Sequence, residues 1–222
     1  MKPFLFLIFF APISLLAQHF GTTRMEEKAL PGLPAKDRAV EHFMNSFTET
    51  SSLTSYQKEW FYWTNYSRSN PKQFWDSVVA PLIKVYPEFQ NSYSVSLKKD
   101  LVSSARLPLL KPNAALLTIA QDHANALASK NASPSHTSPN GNTFQARVQK
   151  ANIKSCAGEN ISFGPPNAVL GLVLLYLDQG VPDHGHRLSL LSRSYTEMGI
   201  GISAYPNDMF MVVQDFSCSQ NP

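Results

Sequence analysis

The chain has 222 residues, of which 43% are hydrophobic, and this supports one sizeable core but leaves little room for a second. The formal net charge is only +3. Because the basic residues form no cluster interleaved with aromatic residues, we expect no nucleic-acid partner.

The first 17 residues have the layout of a secretion signal. Lys2 precedes the apolar stretch Phe4 to Phe10, and the small residue Ala17 ends a second apolar stretch. The run is shorter than the roughly 20 apolar residues of a membrane span, and Pro12 interrupts it, so a retained anchor is the less favoured alternative. We expect cleavage before Gln18 and a mature protein, extracellular or periplasmic, with no membrane span.

Residues 18–55 have the composition of a spacer or a loosely docked arm. They combine charges with Pro31 and Pro34 and end in a Ser/Thr-rich stretch. Only Ala39 to Phe47 shows helical periodicity. Residues 56–222 then form the globular domain, which we expect to be a monomer.

The first half of this domain is predicted to be helical. Aromatic residues fall near one face of a first helix that begins around Tyr56, and Pro71 suits the first turn of a second helix. Pro81 is expected to kink or shorten that second helix. Weaker helical patterns follow over residues 95–105 and 112–130.

The second half mixes helices with extended segments. The predicted elements are a loop over residues 133–141, a short helix capped by Asn142, an extended segment over 156–163, an apolar helix up to Gly180, and a β-hairpin over 198–216. Helices followed by a hairpin indicate an α+β fold, with helices packed on an antiparallel sheet.

The sequence contains only two cysteines, Cys156 and Cys218. In an exported protein an even pair indicates a disulfide, which stabilises the fold by about 4 kcal/mol in the chain-entropy treatment. Two unpaired thiols are the alternative. Metal ligation by the pair is disfavoured because the spacing is not CxxC.

Three polar clusters lie at predicted loops or element ends: Ser135-His136, Gly158 to Ile161, and Asp183 to Arg187. Two histidines and a carboxylate from separate segments suit a divalent metal site with an open position. The same groups suit acid and base chemistry around a bound water. Both interpretations require the three segments to meet in the fold.

These residues also have plainer interpretations. His136 can simply be solvated in its loop, Glu159 can pair with Arg187, and Asp183 can belong to a surface turn. His123, on the apolar face of a predicted helix, is interpreted as a core histidine that hydrogen bonds to a neighbour.

Four motifs follow one another along the chain: Ser135-His136, Gly158-Glu159-Asn160-Ile161, Gly185-His186-Arg187 and Gly199-Ile200-Gly201. Their order resembles the CAP superfamily, which comprises cysteine-rich secretory proteins, antigen 5 and pathogenesis-related 1 proteins. The resemblance covers roughly residues 56–216 and is strongest to the bacterial, SCP-like branch. It implies a three-layer α/β/α sandwich with a central antiparallel sheet and a cleft lined by two histidines and two acidic residues.

The resemblance assigns His136, Glu159 and His186 to that cleft. The family's second acidic residue has no direct match in this sequence. Asp178 is a better candidate for it than Asp183. The resemblance further implies a divalent metal, zinc first, held by His136 and His186, together with a lipid, glycan or protein ligand.

Two other functions stay open. One is a hydrolase in which the metal or Glu159 activates water, with His136, Glu159, Asp178 and His186 as catalytic residues. The other is a stable envelope or extracellular domain whose polar cleft is a remnant.

Overall fold

The structure is a computed structural model that describes residues 28–219, so the predicted secretion signal lies outside the described residues. The helices are α1 (Arg38–Asn45), α2 (Ser55–Ser69), α3 (Pro71–Phe74), α4 (Ala80–Val85), α5 (Ser92–Ser103), α6 (Ala114–Ser129), α7 (Phe144–Lys150), α8 (Ala168–Leu177) and α9 (Gly185–Leu191). The strands are β1 (Lys111–Pro112), β2 (Ala157–Gly164), β3 (Glu197–Tyr205) and β4 (Met209–Ser217). Between residues 28 and 219, no helix is long and apolar enough to cross a membrane.

The helix α2 begins at a capping box, in which the Thr54 side chain and the Gln57 side chain each bond to the other residue's backbone N–H. It ends where Asn70 precedes Pro71, as predicted. Every residue from Trp60 to Arg68 is buried, although the sequence pattern indicated a single aromatic face. The difference arises because α2 contacts α1, α8 and β3 and therefore lies inside the core.

The second predicted helix does begin at Pro71, and it continues past Pro81 to Val85. A π-helical segment, Trp75–Val79, joins α3 to α4. Pro81, which has no backbone N–H, follows the π-helical segment in the first turn of α4.

Part of the predicted arm is folded against the domain. Asp37 caps α1 through bonds from two backbone N–H groups, and Val40 and Met44 of α1 are buried in the main core. The limits given above for the arm and the domain remain predictions.

The four strands form one mixed sheet in the order β1-β3-β4-β2. The predicted hairpin is β3 and β4, and β2 pairs with β4 in antiparallel register. The strand β1 pairs with β3 in parallel and was not predicted, because two residues carry no periodicity.

Helices cover both faces of the sheet, which gives the predicted α+β fold. One face contributes Met198, Ile200, Val212 and Phe216 to the main core, which also contains residues of α2 and α8. The other face contributes Ile161, Met211 and Val213 to a cluster with Ala120, Ala124 and Leu127 of α6.

The predicted disulfide between Cys156 and Cys218 is present. It joins the residue before β2 to the residue after β4, and the Cys218 backbone N–H donates to the Cys156 carbonyl over 3.0 Å. The bond therefore closes the end of the sheet at which Glu159 lies.

The helix α6 lies directly against β3. A Cβ atom on Gly199 would lie 2.1 Å from the backbone of Leu116, and one on Gly201 would lie 2.1 Å from the backbone of Ala120. Only glycine permits this approach, because a Cβ atom on any other residue would meet the α6 backbone, which cannot rotate away as a side chain can.

We therefore expect Gly201→Ala to lower the free energy of unfolding by about 3 kcal/mol or more, because α6 must move away from the sheet. Urea denaturation measures the change. Gly164→Ala is the matched control, since a Cβ there meets nothing within 4 Å, and its effect should stay below about 1 kcal/mol. Equal losses in the two variants would contradict the close packing.

Candidate functional site

His136 lies in the loop between α6 and α7, as predicted, but the loop is fixed in place. Arg147 of α7 donates through Nη1 to the carbonyls of His136 and Asn142, each over 3.1 Å. The imidazole of His136 is 29% exposed. The interpretation of His136 as merely solvated is wrong, because its ring is directed onto a carboxylate.

That carboxylate belongs to Glu159 on β2, whose side chain is 1% exposed. His136 Nδ1 donates to Glu159 Oε1 over 2.7 Å, and Arg147 Nη2 donates to Oε2. Pairing of Glu159 with Arg187 was wrong, since the cation comes from α7. A buried carboxylate that accepts hydrogen bonds from an imidazole and a guanidinium group can remain ionised.

Two opposing effects act on the pKa of Glu159. Burial raises the pKa of this carboxyl, whereas the hydrogen bond from His136 and the positive charge of Arg147 lower it. The lowering effects win, and the pKa lies below its ordinary value. Glu159 is therefore a carboxylate at neutral pH.

His123 of α6 is the core histidine that the sequence predicted. It is 1% exposed, its Nδ1 bonds to the Ser138 hydroxyl and its Nε2 to the Ser135 carbonyl, both over 2.8 Å. A carbonyl only accepts, so Nε2 carries the proton and Nδ1 accepts from Ser138. Burial is the largest effect on its pKa, which it lowers.

A second histidine–acid pair forms beyond α8. Asp178 caps the end of α8 with φ of 53°, its Oδ1 accepts from His186 Nδ1, and its Oδ2 accepts from the Arg187 backbone N–H over 2.9 Å. The side chains of Asp178 and His186 are 1% and 14% exposed. Of the two candidates for the second acid, Asp178 is the one that contacts His186, while Asp183 is exposed.

Arg187 has a structural role beside this pair. Its guanidinium reaches Asp100 of α5 over 3.0 Å and donates to the carbonyls of Tyr176 and Leu177 at the end of α8. It therefore holds α8 and α5 together and orients the segment that carries His186.

The two pairs are attached to adjacent residues of β2. Glu159 bonds to His136, and the Asn160 amide donates to the His186 carbonyl over 3.3 Å. Neighbouring side chains of a strand leave from opposite faces, so the pairs approach β2 from opposite sides. Among the described strands, β2 is the last in the sheet order.

The comparisons with known proteins identify the family of the chain. The family model of the cysteine-rich secretory protein family, CAP, matches residues 61–216. The chain belongs to the CAP family. Among curated proteins, none matches the sequence significantly.

Solved structures similar to this CAP chain come from bacteria. An extracellular SCP-domain protein from Bacillus anthracis is 27% identical with a TM-score of 0.42, over 51% of this chain and 35% of that protein. A cysteine-rich secretory protein from Staphylococcus aureus is 20% identical with a TM-score of 0.38, over 60% and 39%. An outer surface protein from Borrelia burgdorferi is 21% identical with a TM-score of 0.41, over 58% and 90%. The chain thus spans about a third of the length of the Bacillus protein.

Sequence reasoning missed two charged residues beside Glu159. Arg147 lies on a short helix between two motifs, and a basic residue there gave no periodic signal. Asp215 lies on β4 opposite Glu159. Its signal was present, since it is the one acid in the apolar run Met209–Phe216.

An open groove of about 490 Å³ lies between α6 and α7. His123 and Arg147 line it, and both also lie beside the Glu159 carboxylate. The four residues predicted for the cleft do not line this groove. We place the chemistry at the histidine–acid pairs, because the carboxylate-oriented imidazoles of His136 and His186 are not among the residues that line the groove.

The lowered pKa of His123 predicts a specific loss of stability in acid. The unfolded chain takes up a proton near the ordinary value of 6.5, whereas folded His123 stays neutral to lower pH, so stability falls as pH drops below about 6.5. We expect His123→Gln to flatten the pH dependence between pH 6.5 and 5 by up to about 1.4 kcal/mol per pH unit.

Chemical denaturation at several pH values measures this slope. His42→Gln is the control, because it removes an exposed histidine of α1 and leaves the buried imidazole in place. The account of His123 fails if His123→Gln and wild type lose stability in parallel.

Proposed function

We propose that this chain is an extracellular CAP-family binding protein whose two histidine–acid pairs hold a divalent cation, zinc first, where a lipid, glycan or protein ligand binds. The single observation that carries the proposal is the pairing itself. Each imidazole turns Nδ1 toward a carboxylate whose side chain is 1% exposed.

This pairing orients both rings for ligation. When Nδ1 donates to a carboxylate, Nε2 becomes the acceptor atom of the imidazole, and the carboxylate makes it more basic. Metal-ligating histidines in proteins commonly have this outer partner. Glu159 and Asp178 would thus support the ligands His136 and His186 without binding the ion.

The position of the pairs supports a shared ion. His136 bonds to Glu159 and the His186 carbonyl accepts from Asn160, so the two pairs are tied to adjacent residues of the terminal strand β2. The protein's own residues would bind and orient the ion, while the ion would supply a Lewis acid toward the external ligand.

The donor set fits an open site. Within residues 28–219, no group of three or more His, Cys, Asp or Glu side chains could hold a metal ion. The fit is therefore to two imidazoles, with the remaining positions left to water or to the ligand. Imidazole nitrogen suits zinc, and two protein ligands are one fewer than the three of a usual open zinc site, so water and the external ligand would complete the shell.

Zinc titration of the metal-stripped protein by calorimetry tests the proposal. Wild type should bind one zinc ion per chain, and Glu159→Gln and Asp178→Asn should each weaken binding by roughly 10- to 100-fold through loss of the outer partner. His136→Ala and His186→Ala should each weaken it further, because they remove ligands.

His42→Ala controls for non-specific binding, since His42 is exposed on α1 and distant in sequence from both pairs. It should bind zinc as wild type does. Circular dichroism confirms that each variant is folded. Equal zinc affinity of wild type, His136→Ala and His186→Ala would contradict the proposal.

A hydrolase is the second candidate, and the partial exposure of His136 favours it. Glu159 is too buried to activate water directly, so His136 would act as the base and Glu159 would orient it. Turnover of a peptide or ester library that is abolished in His136→Ala would support this function. Absence of turnover with intact zinc binding would favour the binding protein.

A further inference from the structure

A second buried carboxyl lies directly beside Glu159. Asp215 is on β4, and its register partners are Glu159 on β2 and Gly199 on β3. Directly opposed residues of antiparallel strands share a face, with Cβ atoms roughly 5 Å apart. Asp215 is therefore on the face that α6 covers, next to the Glu159 carboxylate.

The Asp215 side chain is closed off from solvent and has no hydrogen-bond donor among the described residues. The residue is 0% exposed, and neither carboxylate oxygen has a hydrogen-bond partner among residues 28–219. Gly199, on its other side, offers no side chain. A lone ionised carboxylate in such a place is costly, and it usually takes up a proton instead.

The nearby charges also favour a protonated Asp215. Burial, and then the negative charge of Glu159, raise the pKa of Asp215 well above its ordinary value, and Arg147 only partly opposes them. Arg147 already donates to Glu159, so its charge is balanced there. One of the two neighbouring carboxyl groups, Glu159 or Asp215, therefore carries a proton.

We propose that Asp215 is protonated at neutral pH and donates its O–H to Glu159, which makes it a positioning residue for the Glu159–His136 pair. The proton belongs to Asp215 because Glu159 already accepts from His136 and Arg147, whereas Asp215 has no donor. Two carboxylate oxygens have about four lone-pair sites, so Glu159 can accept the third bond. The inference does not depend on a bound cation.

Infrared spectroscopy of the full chain tests the protonation. At neutral pH, wild type should show the C=O stretch of a protonated carboxyl, and the band should shift in D₂O. Asp215→Asn should abolish this band. Asp208→Asn, which changes an exposed turn residue, should keep it.

Two outcomes would overturn the proposal. One is a wild-type spectrum at neutral pH without a protonated-carboxyl band. The other is a band that survives Asp215→Asn but is lost in Glu159→Gln, since the proton would then lie on Glu159. The wild-type spectrum needs no variant, so the proposal stays testable even if a substitution prevents folding.

Proton NMR tests the positioning role. In Asp215→Leu, which has similar size and no donor, the Glu159 carboxylate becomes more basic and accepts more strongly from His136. The His136 Nδ1 proton should therefore move downfield, while Asp215→Asn, which keeps a donor, should leave it near the wild-type position. An unchanged resonance in folded Asp215→Leu would show that Asp215 only fills space.

Discussion

The contact between α6 and the two glycines of β3 determines the surroundings of the site. Because Gly199 and Gly201 have no Cβ, the helix backbone lies against the sheet and covers the end of β4. Asp215 and most of Glu159 are thereby removed from water. In such a place each carboxyl must have donors or carry a proton, and this requirement explains the bonding of the residues around them.

Glu159 is the residue on which these groups converge. Its carboxylate is bonded by His136 from a loop and by Arg147 from α7, and it lies 3.9 Å from His123 Nε2 on α6. Removing one partner of a buried charge costs more than the pair contributes, so these segments are held in one arrangement. The bonds to Glu159 that hold these segments in place also set the tautomer of His136. The fold around the site and the proposed chemistry therefore both depend on the Glu159 carboxylate.

The sequence predicted the elements whose signal is local. The α+β class, the disulfide, the hairpin and the core position of His123 followed from periodicity, cysteine count and the apolar helix face. The short helix is capped by Thr143 rather than Asn142, an error of one residue between two competent caps. The pairing of Asp178 with His186 gave no local signal in the sequence, because it depends on the positive φ that Asp178 adopts at the end of α8. Arg147 was missed for a related reason, since its partners lie on other elements, whereas Asp215 did leave a signal as the one acid in an apolar strand.

The central claim is that two carboxylate-oriented imidazoles hold a cation beside β2. Anomalous diffraction at the zinc edge, from crystals of the metal-stripped protein loaded with zinc, tests it most directly. We predict one peak bonded to Nε2 of His136 and of His186, with Glu159 and Asp178 still on the Nδ1 atoms. A peak ligated by those carboxylates, or by one histidine alone, would contradict the account.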